Sequence, residues 1–254
     1  VDRVTPPAAP PLAAAFLRLF TVQASWNYDR LLGVGMGVAE EPLLRGLSDG
    51  KRDGAAYRAA VARGAHFFNA HPYLCGLAVG AAARAEYEGA PPEQVERLRA
   101  ALCGPLGALG DRLVWAGWLP LLSSAAVAAI ALGAGWGAVA AFLLIYNIGH
   151  VALRWWALRA GWAAGSGVVG ALRAPLLQRT PVLLLPAMAL VAGFCLPLVS
   201  RWLVRPFPLV TAGASALVAV LGVALLRWQP GRIKSLWIGL GAVALGIGGG
   251  LLWR

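Results

Sequence analysis

The chain has 254 residues, 59% of them hydrophobic and only 13% charged, with a mean hydropathy of +0.68. That composition excludes an ordinary water-soluble domain, in which about a quarter of the residues are charged. The formal net charge of +11 does not make a nucleic-acid patch, because the excess bases stand singly between apolar blocks, as in loops retained on the cytoplasmic side of a membrane.

All 11 acids lie at or before Asp111, whereas 10 bases follow Arg112 with no acid among them. Charge thus separates a balanced N-terminal helical region, 12–110, cytoplasmic or interfacial, from a membrane region, 111–254. Residues 1–11 read as a disordered tail; proline breaks up the start and Arg18 interrupts the apolar stretch, so no secretory pattern forms. Uncharged stretches at 114–149, 181–200, 206–226 and 235–253 reach the roughly 20 residues a membrane span needs. The expected fold is an all-α membrane protein with N-terminal amphipathic or interfacial helices, re-entrant hairpins and several transmembrane helices.

In chain order, apolar residues recur at helical spacing over 12–32, with Gln23, Asn27 and Arg30 on one stripe. The stripe is either a polar ligand face or the solvated side of an interfacial helix. Glu40 and Glu41 precede Pro42 and a turn cluster, and do not resemble a paired-carboxylate catalytic site. A second helical pattern over 54–69 ends in HFFNAHPYLCG, where Pro72 disfavours the helical conformation at His71. Asn69 and His71 therefore stand at a break, which is either a ligand site or an interfacial turn anchored by Phe67, Phe68 and Tyr73.

PPEQVERLRAAL reads as a short amphipathic helix running into GPLGALGD, where Gly104, Gly107, Gly110 and Pro105 predict an interruption. Asp111 is then the N-cap of the next helix, or an ionisable group at a buried loop tip. The uncharged stretch 114–149 is too long for one crossing and somewhat short for two, so a double pass or a bent, re-entrant hairpin with its bend in GAGWGA at 133–138 is expected. It closes with Asn147 and His150 before a basic, aromatic membrane edge at Arg154, Trp155 and Trp156. The three cysteines show no ligand spacing, so neither a metal site, a cofactor nor a disulfide framework is expected, and no order of His or Cys suits an intramembrane enzyme.

The succession LFTVQASWNYDRLLGVGMG, HFFNAHPYLCG, LCGPLGALGDRLVW and FLLIYNIGHVALRWWALRAGW resembles the IID membrane component of mannose-family sugar phosphotransferase systems. The resemblance implies a bacterial inner-membrane subunit that forms a hexose pathway with a IIC subunit, in a hetero-oligomer served by IIA and IIB phosphocarriers, with no phosphorylated residue of its own. It also implies polar roles at Gln23, Asn27, Asn69, Asp111 and Asn147, to which the helix break adds His71 as a candidate substrate contact. Asn and Gln amides with one carboxylate suit a cluster of sugar hydroxyls. Departures from the family pattern are Arg112 directly after the motif Asp, His150 where Arg is common, and a short connection RWLVRPFPLV. They keep a second reading open, a non-transporting membrane scaffold or regulatory subunit derived from this family.

Counting bases between apolar blocks gives seven on one set of loops and three on the other, which predicts a cytoplasmic N-terminal region. GVGMG at 33–37, GWAAG at 161–165 and GIGGG at 246–250 carry the i, i+4 glycine spacing of close helix contacts, and predict faces for a IIC partner.

Overall fold

The computed structural model of the chain describes residues 7, 9–48, 54–204, 237, 240, 241 and 244. The expected span 206–226 and the glycine run 246–250 lie outside the described residues, as does 235–253 apart from four single positions. Among the described residues there is no strand; only single bridging contacts join Leu31 to Asn27 and to Phe68. The helices in chain order are α1 (Leu12–Leu19), α2 (Gly33–Leu44), α3 (Ala55–Gly64), α4 (Cys75–Tyr87) and α5 (Pro92–Gly110), then α6 (Leu119–Ala131), α7 (Gly135–Ala164), α8 (Pro175–Gln178) and α9 (Thr180–Val204).

Two compact units form, and they do not follow chain order: one holds Val1–Asp111 and Ile148–Gln178, the other Arg112–Asn147 and Arg179–Arg254. In the first, α2 is buried on almost every side, with Met36, Ala39, Leu43 and Leu44 fully covered. Its glycines permit this. A Cβ at Gly33 would strike the carbonyl of His66, one at Gly35 the backbone of Val22, and one at Gly37 would crowd Ala65. Likewise Gly80 lies against Leu158 and Trp162, and Gly161 against the backbone of Leu77, so α4 and α7 meet backbone to backbone. The expectation that the 33–37 and 161–165 faces receive a partner subunit is therefore corrected: the chain's own segments fill both.

Ion pairs tie this unit together. Arg99 of α5 donates to Glu40 of α2 at 2.9 Å and to the carbonyl of Gly64 at 2.6 Å, with both side chains almost fully buried. Arg63 pairs with Glu86 at 2.7 Å, and Glu41 accepts from Arg18, Arg45 and Tyr57, chiefly the Arg45 bond holding its carboxyl down at about 2. Burial instead pushes Glu40 up to about 7, against the opposing pull of Arg99. A carboxyl raised from 4.5 to about 7 stabilises the fold fully below 4.5, and that contribution is lost as pH rises through 7. Purified protein should therefore melt lower at pH 8 than at pH 6, and Glu40→Gln, which mimics the protonated form, should flatten that difference. An unchanged slope in the variant would remove Glu40 as its source.

The second unit contains no charge from Leu113 to Asn147, and in it α6 packs along α9, with Gly117 facing Leu184. The helical path continues from α5 through Asp111–Trp118 into α6 as one 40-residue stretch, Pro92–Ala131. This corrects the expected interruption at 104–110. Pro105 sits inside the helix and no loop forms. The adjustment comes just afterwards: Asp111–Trp118 is wound as a wider π-helix, ahead of Pro120, which has no N–H to donate. Pro92–Ala131 and Gly135–Leu196 are both long and apolar enough to cross a membrane.

Candidate functional site

The segment from Ala65 to Leu74, between α3 and α4, is where the candidate residues gather. α3 ends at Gly64, short of the expected 69, and Pro72 stands within the irregular segment that precedes α4. The segment is fixed on two sides. Phe68 donates to the carbonyl of Arg30 at 3.2 Å and accepts from Leu32 at 3.0 Å, which seats it against the 27–31 turn. Ala70 and His71 lie on the glycine face of α5: Gly107 comes close to Ala70, and a Cβ at Gly110 would collide with the side chain of His71. The three-residue glycine spacing thus serves close approach, and only Gly104 faces open space.

The expected 12–32 helix is corrected to α1, which ends at Leu19, followed by turns. Gln23, Asn27 and Arg30 consequently do not share a helical stripe. Asn27 commits its amide to its own turn, accepting from Asp29 at 3.1 Å and Arg30 at 2.9 Å and donating to the carbonyl of Ser25 at 3.1 Å. That turn holds Leu31 at φ 49°, a left-handed conformation costly for a branched side chain. Gln23 and Asn69 are exposed, and among the described residues neither side chain makes a hydrogen bond.

His71 is 1% exposed, and its Nδ1 accepts from the Tyr73 N–H at 3.2 Å, which assigns the proton to Nε2. Burial, aided by the nearby Arg154 charge, pushes it down to about 4, so it is a neutral imidazole near pH 7. Asp111 has helical dihedrals (φ −62°, ψ −42°) with helix on both sides, so it is not an N-cap: the N–H groups a cap would serve already have partners upstream. Asp111 and Arg112 are exposed, and no side chain among the described residues pairs with either. Asn147 belongs to the other unit and donates to the carbonyl of Leu143 at 2.6 Å on its own helix.

Sequence reasoning missed Arg154. It is 4% exposed inside α7, where Nη1 donates to the carbonyls of Leu19 at 2.6 Å and Pro72 at 3.3 Å. Its guanidinium lies 4.5 Å from the Tyr73 ring centre and 5.2 Å from that of Phe20, and His150 stacks on Tyr73 at 5.0 Å. A signal was present: Arg154, Ala157, Leu158, Gly161 and Trp162 form one helical stripe, all buried. The same test finds Arg99 between Val95 and Leu102 on the buried stripe of α5.

Among the described residues, an all-helical fold with two helical stretches long and apolar enough to cross a membrane is the architecture of an integral membrane protein. The profile of the PTS system mannose/fructose/sorbose family IID component matches residues 10–196. The sorbose-specific EIID component of Klebsiella pneumoniae is 32% identical over 84% of this chain and 78% of its own length. That of Lacticaseibacillus casei is 28% identical over 85% and 77%. In the cryoEM structure of the mannose transporter ManYZ with microcin E492, a chain 22% identical shares the fold with a TM-score of 0.56, covering 95% of both chains. The chain belongs to the mannose/fructose/sorbose family of phosphotransferase-system IID components, and is a membrane subunit of a sugar permease. The scaffold reading is not favoured by these likenesses.

Proposed function

We propose that this subunit and a IIC-type membrane subunit together form the path of a hexose across the bacterial inner membrane, within a hetero-oligomer to which IIA and IIB phosphocarriers deliver phosphate. Sugar bound on the pathway is phosphorylated at the cytoplasmic face, which keeps free sugar low and makes uptake directional. Within this chain, Asn69 and Asp111 are the groups that meet sugar hydroxyls, with Gln23 beside them in sequence role and His71 as a neutral support beneath. The observation that carries this reading is that Asn69 and Asp111 stand exposed and uncommitted next to the contact of Ala70 and His71 with Gly107 and Gly110. Asn27, whose amide bonds to its own turn, serves the shape of the site, and Asn147 bonds within its own helix.

The N-terminal region is cytoplasmic by the loop-charge rule. Burial of Arg154 removes one base from the count and leaves six against three, with the same side favoured.

The test is uptake by cells that co-express the chain with its IIC partner, with sorbose as the first sugar because two relatives are named for it. Asp111→Asn keeps shape and removes charge. A lost charge-assisted hydrogen bond of about 1.5–3 kcal/mol corresponds to a roughly 10- to 150-fold fall in transport efficiency. Asn69→Ala should weaken uptake by about tenfold, with the assembled complex still recovered in both cases. Normal uptake by both variants would overturn the assignment.

A further inference from the structure

The turn between α6 and α7 is the barest part of the described chain. All of 132–137 is exposed; Leu132 is 67% and Trp136 86% open, and nothing comes within 4 Å of where a Cβ would stand on Gly133, Gly135 or Gly137. Gly133 at φ +101° and Gly135 at φ +54° make the reversal, which a larger residue would strain. No packing among the described residues accounts for an uncharged, tryptophan-bearing tip left open in this way.

Helix length says where the tip goes. From Arg112 to the end of α6 at Ala131, and again from Gly135 to Arg154 within the unbroken α7, the chain runs 20 residues without an intervening acid or base other than His150. At 1.5 Å per residue each arm spans about 30 Å, slightly less through the π-helical turns, which is the thickness of the hydrocarbon core. The tryptophans fall at both ends of that distance. Trp115 and Trp118 follow Arg112, Trp155 and Trp156 follow Arg154, and between these groups the only tryptophan is Trp136 at the tip. Indole rings favour the headgroup level, where the ring is half in hydrocarbon and its N–H reaches water or lipid oxygens.

We infer that the α6–α7 hairpin crosses the bilayer completely and returns, so that the 132–137 tip docks in the lipid headgroup layer opposite the one that holds Arg112. Trp136 anchors it there, and Arg112 lies at the other interface, where its charge meets water and headgroups. A re-entrant loop would instead bring the tip to a stop at mid-depth or return it to its starting side.

The experiment uses membrane vesicles of either orientation from cells expressing the chain, with a membrane-impermeant maleimide. The parent chain is the background, since Cys75 and Cys195 are buried and Cys103 is partly so. Two exposed positions are compared, Ala134→Cys at the tip and Arg97→Cys on α5. The inference expects position 134 to react in one vesicle orientation and position 97 only in the other, with labelling lost on reversal. Reaction of both from one side would overturn it in favour of a re-entrant hairpin. A position 134 that reacts only after denaturation would overturn it in favour of a tip buried in protein.

Discussion

Gly110→Val is expected to abolish sugar uptake and to lower the melting temperature of the purified subunit sharply. The pro-side-chain direction of Gly110 points at the Cβ and Cγ of His71, and His71 is itself buried, with Cys75 donating its S–H to the His71 carbonyl at 3.5 Å. The imidazole cannot swing away cheaply, because Nδ1 accepts from Tyr73 and the ring packs edge-on against the Tyr73 ring at 4.9 Å. Separating α5 from the 65–74 segment is the alternative, which opens the contact of Ala70 and His71 with Gly107 and Gly110. Overpacking of this kind costs typically about 1–3 kcal/mol, and more where rigid backbone lies behind the clash. Gly104→Val, where nothing lies within 4 Å, is the matched control and should melt like the parent. Comparable melting of the two variants would show that the close approach at Gly110 carries no energy.

Replacing Arg154 should have a comparable effect for a different reason. Its guanidinium joins three parts of the chain: the end of α1 through Leu19, the helix break through Pro72, and α7, which carries it. Arg154→Leu removes those bonds and the aromatic contacts with Phe20 and Tyr73. Losing a hydrogen bond from a charged donor costs about 1.5–3 kcal/mol. Arg154→Lys keeps the charge but is a compact point donor without a planar face for the rings, so it should recover only part of the stability. The measurement is thermal unfolding in detergent beside uptake; full recovery by lysine would mean that charge alone matters and the stacked, carbonyl-binding geometry does not.

Much was legible in the residues themselves. Hydropathy and the one-sided placement of acids specify a membrane protein with a charged N-terminal part, and the successive motifs mark its family without any coordinates. Gly133 with Gly135 makes a turn, because a positive φ depends on local sterics alone. Local signals failed where a neighbour decided the outcome. The glycines at 104–110 and Pro105 read as a break, yet the helix continues, because Gly107 and Gly110 are needed small by the segment packed on them. The apolar spacing of 12–32 read as one helix, yet Asn27 draws the chain into a turn that pairs with Phe68.

Composition and local backbone chemistry thus determined the class, the family and the positions of sharp turns, since each follows from residues near one another in the chain. Tertiary structure alone decided which groups Arg99 and Arg154 meet inside the fold and that the glycine faces of α2 and α7 are filled by the chain itself. It also decided that 148–178 packs with the N-terminal unit. A charge or a glycine has no fixed meaning in sequence; whether it meets water, lipid, a carboxylate or a backbone depends on segments that can be more than a hundred residues away, as Leu19 is from Arg154.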